Sequence, residues 1–188
     1  MENTNATDAR PKLEAFLSSV EGRAFRMAQI ATGDSDEALD IVQDAMLGLV
    51  AKYNRKPQAL WKPLFYRILQ NRIRDWYRRT KVRKRWRQWL NPDKNMDRDN
   101  PRDLLENMAA PDAGNPDHLT LVGDASKALE AALQKLTLRQ QQAFLLRAWE
   151  GLSVADTALA MRCSAGSVKT HYARALKTLR DLLEDHWP

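Results

Sequence analysis

Between Arg72 and Arg87 the chain reads "RIRDWYRRTKVRKRWR": nine arginines or lysines, one acidic residue and three aromatic rings in sixteen positions. Cations at that density form a track for phosphates, whatever the base sequence. The rings add a different chemistry, because an unstacked base can lie against each one, at about 1–3 kcal/mol per base. The mixture suits single-stranded or locally opened DNA better than closed duplex. On a helix, Asn71, Asp75 and Arg79 share one stripe, while Arg72, Arg74 and Arg78 project in other directions. Trp76 continues the apolar line of Ile68 and Ile73 and is expected in the core. Trp61, Tyr77, Trp86 and Trp89 are expected to stay available, since so small a lobe absorbs few large rings.

A second concentration of chemistry begins at "LTLRQQQAFLLRAWEGLSVADTALAMRCSAGSVKTHYARAL". A helix over about Arg139–Trp149 stops at Gly151, a residue that readily ends helices. Ser153 caps the next helix with Asp156 three residues on, a capping-box-like pair. That helix lasts about two turns, Ser164 caps again, and a long helix runs from Ala165 through Val168, Tyr172, Leu176 and Leu179. Short helix, tight turn and long helix with a polar, basic start make a helix-turn-helix pattern. The second helix of such a unit lies in the major groove. Here its early side chains are Ser164, Ser167, Lys169, Thr170, His171 and Arg174. An ordinary helical hairpin with a solvated cationic face is the plainer reading, and the small and polar residues of "SAGSVKTHYAR" argue against it.

Other chemistries find no support. Asp34, Asp36, Asp40 and Asp44 superficially suggest a metal cluster, but no second helix contributes matching ligands. His118, His171 and His186 stand in unrelated contexts, and Cys163 is the only cysteine, which excludes an intrachain disulfide or a cysteine-rich metal site. Cys163 is expected to pack under the turn as a small apolar residue. No nucleophile motif or glycine-rich phosphate loop appears. No metal, no cofactor and no enzymatic activity are therefore expected.

The elements that position these residues are helical throughout, so the fold class is all-α. Leu13, Phe16, Leu17, Val20, Ala24, Met27 and Ala31 make one stripe after Pro11. "TGDSDEALD" supplies a turn at Gly33 and acids for the first turn of a new helix, where the dipole favours them. Ala38, Ile41, Val42, Ala45, Leu49 and Tyr53 form that helix's buried face, and a third helix starts near Leu60 or Pro63. From Asn91 to Asp124 the chain is rich in Pro, Asn, Asp and Gly, with eight acids against three bases. It reads as a flexible acidic linker with at most one helical turn at Leu104–Met108. Two small helical domains at 10–90 and 125–188, joined by a linker at 91–124, are the expected organisation.

The 188 residues suit one ordinary domain or two small ones, and the formal charge of +6 favours a polyanionic partner. The opening "MENTNATDARPKLEAF" has no apolar run resembling a secretory signal. No stretch approaches the roughly 18 apolar residues of a membrane span. A cytoplasmic protein is expected.

Both lobes resemble one family, the bacterial RNA polymerase sigma factors of the sigma-70 family, in their extracytoplasmic-function group. "DSDEALDIVQDAMLGLVAKY" is similar to that group's core-polymerase-binding segment: Asp40, Val42, Gln43 and Leu47 match, and Asp44 replaces the usual Glu. "LFYRILQNRIRDWYRR" resembles the region that melts promoters and reads the minus-ten element, with Tyr66, Ile68, Asn71, Asp75 and Arg78 in place. The helix-turn-helix segment resembles the reader of the minus-thirty-five element. Thr137 stands where many members carry proline, and Thr157 where Ile is usual.

The resemblance implies that Asp36, Asp40, Gln43, Asp44 and Leu47 bind core RNA polymerase, at the clamp helices of its largest subunit. Promoter DNA is the second implied partner. Tyr53, Trp61, Asn71, Arg72, Arg74, Asp75, Tyr77, Arg78 and Arg79 would hold the opened minus-ten strand, with Tyr53–Trp61 as the loop that captures a flipped base. Ser164, Ser167, Lys169, Thr170, His171 and Arg174 would read the minus-thirty-five duplex. The group also implies an anti-sigma factor as antagonist. The acidic linker would either mimic nucleic acid in the polymerase cleft or serve as a solvated spacer. A linker of about 34 residues spans roughly 30–35 Å as a coil and over 100 Å at full stretch, against about 34 Å per DNA turn. A regulator with a response-regulator-like output domain is the alternative, since "LTLRQQQAF" and "GSVKTH" resemble that family too. It requires a strand-bearing receiver or ligand domain in the N-terminal half.

Overall fold

Apolar residues three and four apart roll residues 4–53 into two helices that turn at Gly33, whose φ of 69° lies in the left-handed region open to glycine. The structure, a computed structural model, describes residues 4–90 and 124–183. Helix α1 spans Thr4–Thr32 and passes through Pro11 rather than starting after it. Proline's fixed φ is itself helical, so the helix continues through it at the cost of one ladder hydrogen bond and crowding of the carbonyl four residues back. Asp34 caps α2 (Ser35–Tyr53), its carboxylate accepting from the amides of Asp36 at 2.8 Å and Glu37 at 3.0 Å.

A short 3₁₀ turn, Gln58–Leu60, leads into α3, Trp61–Leu90, one continuous helix that carries the basic run. Ala38, Ile41, Val42, Ala45 and Leu49 of α2 are buried against α1 and α3, as their spacing predicts. Gly48 permits the close approach of α2 to α3: a Cβ there would stand 3.2 Å from Ile68 Cγ2. From α3, Phe65, Tyr66, Leu69 and Ile73 are buried, each large side chain contributing about 1.5–3 kcal/mol.

The second half comprises α4 (Asp124–Gln134), α5 (Leu138–Phe144), a widened π turn (Leu145–Trp149), α6 (Val154–Met161) and α7 (Ala165–Leu182). Thr137, in the place of the usual proline, makes a complete capping box with Gln140: it receives the Gln140 amide at 3.5 Å and gives its own amide to Gln140 Oε1 at 3.2 Å. Thr157, in the place of Ile, is fully buried, and its hydroxyl donates to the Ser153 carbonyl at 2.8 Å. Gly151 has φ 64°, and Arg162 closes α6 in the left-handed region at φ 55°. Cys163 is half-buried against the core beneath this turn.

The two halves pack on each other, α3 against α6 and α1 against α4. Arg26 of α1 pairs with Glu130 of α4 at 2.6 Å. The 91–124 linker, short of Asp124, lies outside the described residues, as do His118 and His186. Nothing is described of the side chains of Trp86 and Trp89.

Candidate nucleic-acid interface

On α3, Asn71, Arg74, Asp75 and Arg78 form two pairs of neighbours one turn apart. Arg74 donates to Asn71 Oδ1 and, at 3.3 Å, to the Gln70 carbonyl, while Arg78 donates to Asp75 Oδ1 at 3.1 Å. Arg78 and Arg79 are exposed, and Arg72 reaches across to Asp44 of α2 at 3.6 Å. That solvated pair is worth little energetically, so Arg72 is free to exchange it for a phosphate. Arg74 differs from the others. It is half-buried, and burial with the nearby guanidinium groups of Arg139 and Arg162 lowers its pKa to about 10.

The aromatic expectations are corrected in two places. Trp61 is 3% exposed, its ring 5.9 Å from Phe16 and its indole N–H donating to the Lys56 carbonyl at 2.9 Å. Tyr77 is also 3% exposed, and its hydroxyl donates to the Ala31 carbonyl at 2.7 Å. Neither ring is free to stack on a base in this arrangement, because the groove between α1 and α3 accommodates more aromatic volume than one lobe's size suggests. Trp76 is core, as its stripe predicts. Tyr53 is half-buried, and residues 54–60 of the loop it opens are exposed. Trp61 therefore holds the loop from below while the loop itself faces solvent.

Helix α7 offers a clearer surface. Ser164 caps it, accepting from the Ser167 amide at 3.0 Å, with the two hydroxyls 2.9 Å apart. Lys169, Thr170 and Arg174 are exposed on one face, and Lys177 extends that face by another turn. Lys177 was legible from its spacing three residues after Arg174 and is absent from the sequence-derived set. His171 is a correction: it lies on the opposite, buried face with Val168, Ala175 and Leu179. The three-residue step from Val168 to His171 puts both on the core side.

The acidic face of α2 behaves as its pattern predicts. Asp36, Asp40, Gln43, Asp44 and Leu47 are all exposed, and Leu47 is 68% open to solvent. Leu39 and Val50 are exposed beside them, apolar residues that fall off the buried face and widen the patch. No group of acidic, histidine or cysteine side chains among the described residues could hold a metal ion. No helix among them is long and apolar enough to cross a membrane.

A cationic helix in one lobe and a helix-turn-helix in the other define an all-α transcription factor with two separate DNA-facing elements. The comparisons carry this further. The Sigma-70 region 2 family matches residues 13–83, and Sigma-70, region 4 matches residues 126–179. The RNA polymerase sigma-E factor of Streptomyces avermitilis is 29% identical over 174 residues, covering 92% of this chain and 86% of that protein. The ECF RNA polymerase sigma factor SigX of Bacillus subtilis is 38% identical over 69 residues, 37% of this chain and 36% of that protein. The sigma factor RpoE of Bartonella quintana, solved in complex with the anti-sigma factor NepR, superposes with a TM-score of 0.59 at 26% identity, covering 96% of this chain and 99% of that one. The chain belongs to the sigma-70 family, in its extracytoplasmic-function group.

Proposed function

We propose that this chain is the promoter-recognition subunit of a bacterial RNA polymerase, without enzymatic activity of its own and working in the cytoplasm. Residues 10–90 dock on core polymerase and hold the melted minus-ten element, residues 91–124 span the gap, and residues 125–188 read the minus-thirty-five duplex. One observation carries the reading: a single chain presents the region 2 match and the region 4 match in that order, with the exposed arginines of α3 in one and the exposed basic face of α7 in the other.

Core polymerase meets the patch of Asp36, Asp40, Gln43, Asp44 and Leu47, whose mixture of acid and exposed apolar surface disfavours DNA and suits a protein helix. Arg72, Arg74, Arg78 and Arg79 follow the strand's phosphates, and Asn71 and Asp75 offer hydrogen-bonding groups to its bases. The loop from Tyr53 to Trp61, which leads into the N-terminal end of the same helix, is the site for an extruded base. Lys169, Thr170 and Arg174 face the duplex, and Ser164 and Ser167 hold the helix start that enters the groove. An anti-sigma antagonist is part of the reading, prompted by the complex in which RpoE of Bartonella quintana was solved.

Among the described residues there is no β-strand to build a receiver domain, so the response-regulator-like alternative loses its N-terminal half. The test is in vitro transcription with purified core polymerase on a library of promoters. Start sites that appear only when this chain is added bear the proposal out, and their absence contradicts it.

A further inference from the structure

Asn71 stands half-buried on α3, on the side of the helix away from the buried Ile73, Trp76 and Tyr77. Arg74, three residues on, donates from Nη2 to Asn71 Oδ1 and from Nε to the Gln70 carbonyl at 3.3 Å. An arginine carries donors and no acceptor, so the group that Asn71 turns toward it must be the carbonyl oxygen. The NH2 group of the same side chain is left at the other end, and among the described residues it meets no acceptor. Both bonds are made within one helix, so the orientation belongs to α3 itself.

We infer that Arg74 is a positioning residue for base recognition: it locks the Asn71 side chain with its NH2 group outward, so α3 favours a keto base, guanine or thymine, where Asn71 meets the opened strand. The inference rests on the promoter-reading role proposed above and names the class of base that role selects.

An unrestrained asparagine reads adenine with both ends of its amide, the oxygen accepting from the exocyclic amine while the NH2 group donates to the ring nitrogen beside it. Locked as a donor, the same side chain meets the exocyclic amines of adenine and cytosine donor against donor. Guanine and thymine carry a keto oxygen in the corresponding place, which accepts. A pKa of about 10 keeps Arg74 cationic at neutral pH. A carbonyl that accepts from a cation polarises its own amide, which strengthens the outward N–H donors. Arg74 can do this and still lie on the phosphate track, because a guanidinium has five N–H donors and only two are engaged here.

The first measurement needs no variant. In the whole chain, nitrogen relaxation of the Asn71 side-chain amide should give an order parameter near the rigid-backbone value of about 0.85. A value below about 0.6 overturns the lock. The second is in vitro transcription by the holoenzyme on promoters randomised through the minus-ten element, comparing the parent with Asn71→Ala, Arg74→Met and the double variant. Methionine keeps the aliphatic length of the half-buried position and removes every donor. In the parent, one position should favour guanine or thymine over adenine or cytosine by about tenfold. That ratio should fall to near unity in Asn71→Ala and in Arg74→Met, with adenine gaining most in the latter. The double variant should match Asn71→Ala alone, because the two residues act through one contact. A lost phosphate contact lowers the use of all promoters together and leaves the ratio standing, which separates it from positioning. The parent's ratio retained in Arg74→Met, or no position altered in Asn71→Ala, overturns the inference. A rigid Asn71 amide with no start sites from any of these chains upholds the lock and assigns the failure to the promoter-reading role.

Discussion

Tyr77 gives its hydroxyl to the carbonyl of Ala31 at 2.7 Å, tying the middle of α3 to the last turn of α1. Its ring stands edge-on to Trp76, centroids 5.2 Å apart at 89°. This tyrosine is a strut, so Tyr77→Phe is expected to cost about 1–3 kcal/mol, the penalty of orphaning a buried partner. Affinity for single-stranded DNA should not change. Denaturant midpoints and a strand-binding titration check both, and weakened binding at unaltered stability would return Tyr77 to the DNA surface.

Alkaline pH exposes the same packing. Burial raises the phenols of Tyr66 and Tyr77 above their ordinary value. The folded state therefore holds protons that the unfolded state releases. The stability linked to them is complete below about pH 10, the ordinary tyrosine value, and drains as pH climbs beyond it. Tyrosinate absorbance of these two rings should grow together with loss of helical circular dichroism. Ionisation of both rings in a fully helical chain would contradict the argument.

On α2, Asp40 is exposed and makes no contribution to the core, so Asp40→Arg should leave the helices intact. It places a cation in the middle of the acidic, apolar patch proposed for docking. Co-purification with core polymerase should fall by roughly tenfold or more, a loss of about 1.4 kcal/mol. Retention equal to the parent chain would remove α2 from the docking surface.

Lys169 and His171 are two residues apart and face opposite ways. Lys169→Ala should weaken binding to all promoter duplexes alike and reduce the salt slope by about 1. His171→Ala should instead lower the thermal midpoint, because it opens space on the buried side of α7. An unaltered slope for the first variant, or an unaltered midpoint for the second, would reverse these assignments.

Thr157 hides a hydroxyl that its own helix satisfies, and the Ser153 carbonyl keeps the Thr157 amide at 2.9 Å whether or not the hydroxyl is present. Thr157→Val preserves shape and leaves no acceptor orphaned. Stability should be unchanged or up to about 1 kcal/mol higher. A loss of more than that in a thermal melt would show that the hydroxyl has a second task.

Local chemistry was enough to read most of the helices, the caps at Ser153 and Ser164, and the exposed basic stripe of α7. Ser153 and Ser164 announce helix starts because a short oxygen-bearing side chain satisfies the amide three residues ahead. The acidic face of α2 and the exposed Lys169, Thr170 and Arg174 follow from angular position around a single helix, which spacing encodes directly. Spacing says nothing about a second helix arriving from elsewhere. Trp61 and Tyr77 are buried because α1 folds back over α3, and neither ring carries that information. Nothing in the residues around Glu150 marks it as buried, yet Lys62, 88 residues away, donates to its carbonyl. Which faces meet across the chain is a matter of three-dimensional packing, and there the tertiary structure alone decided.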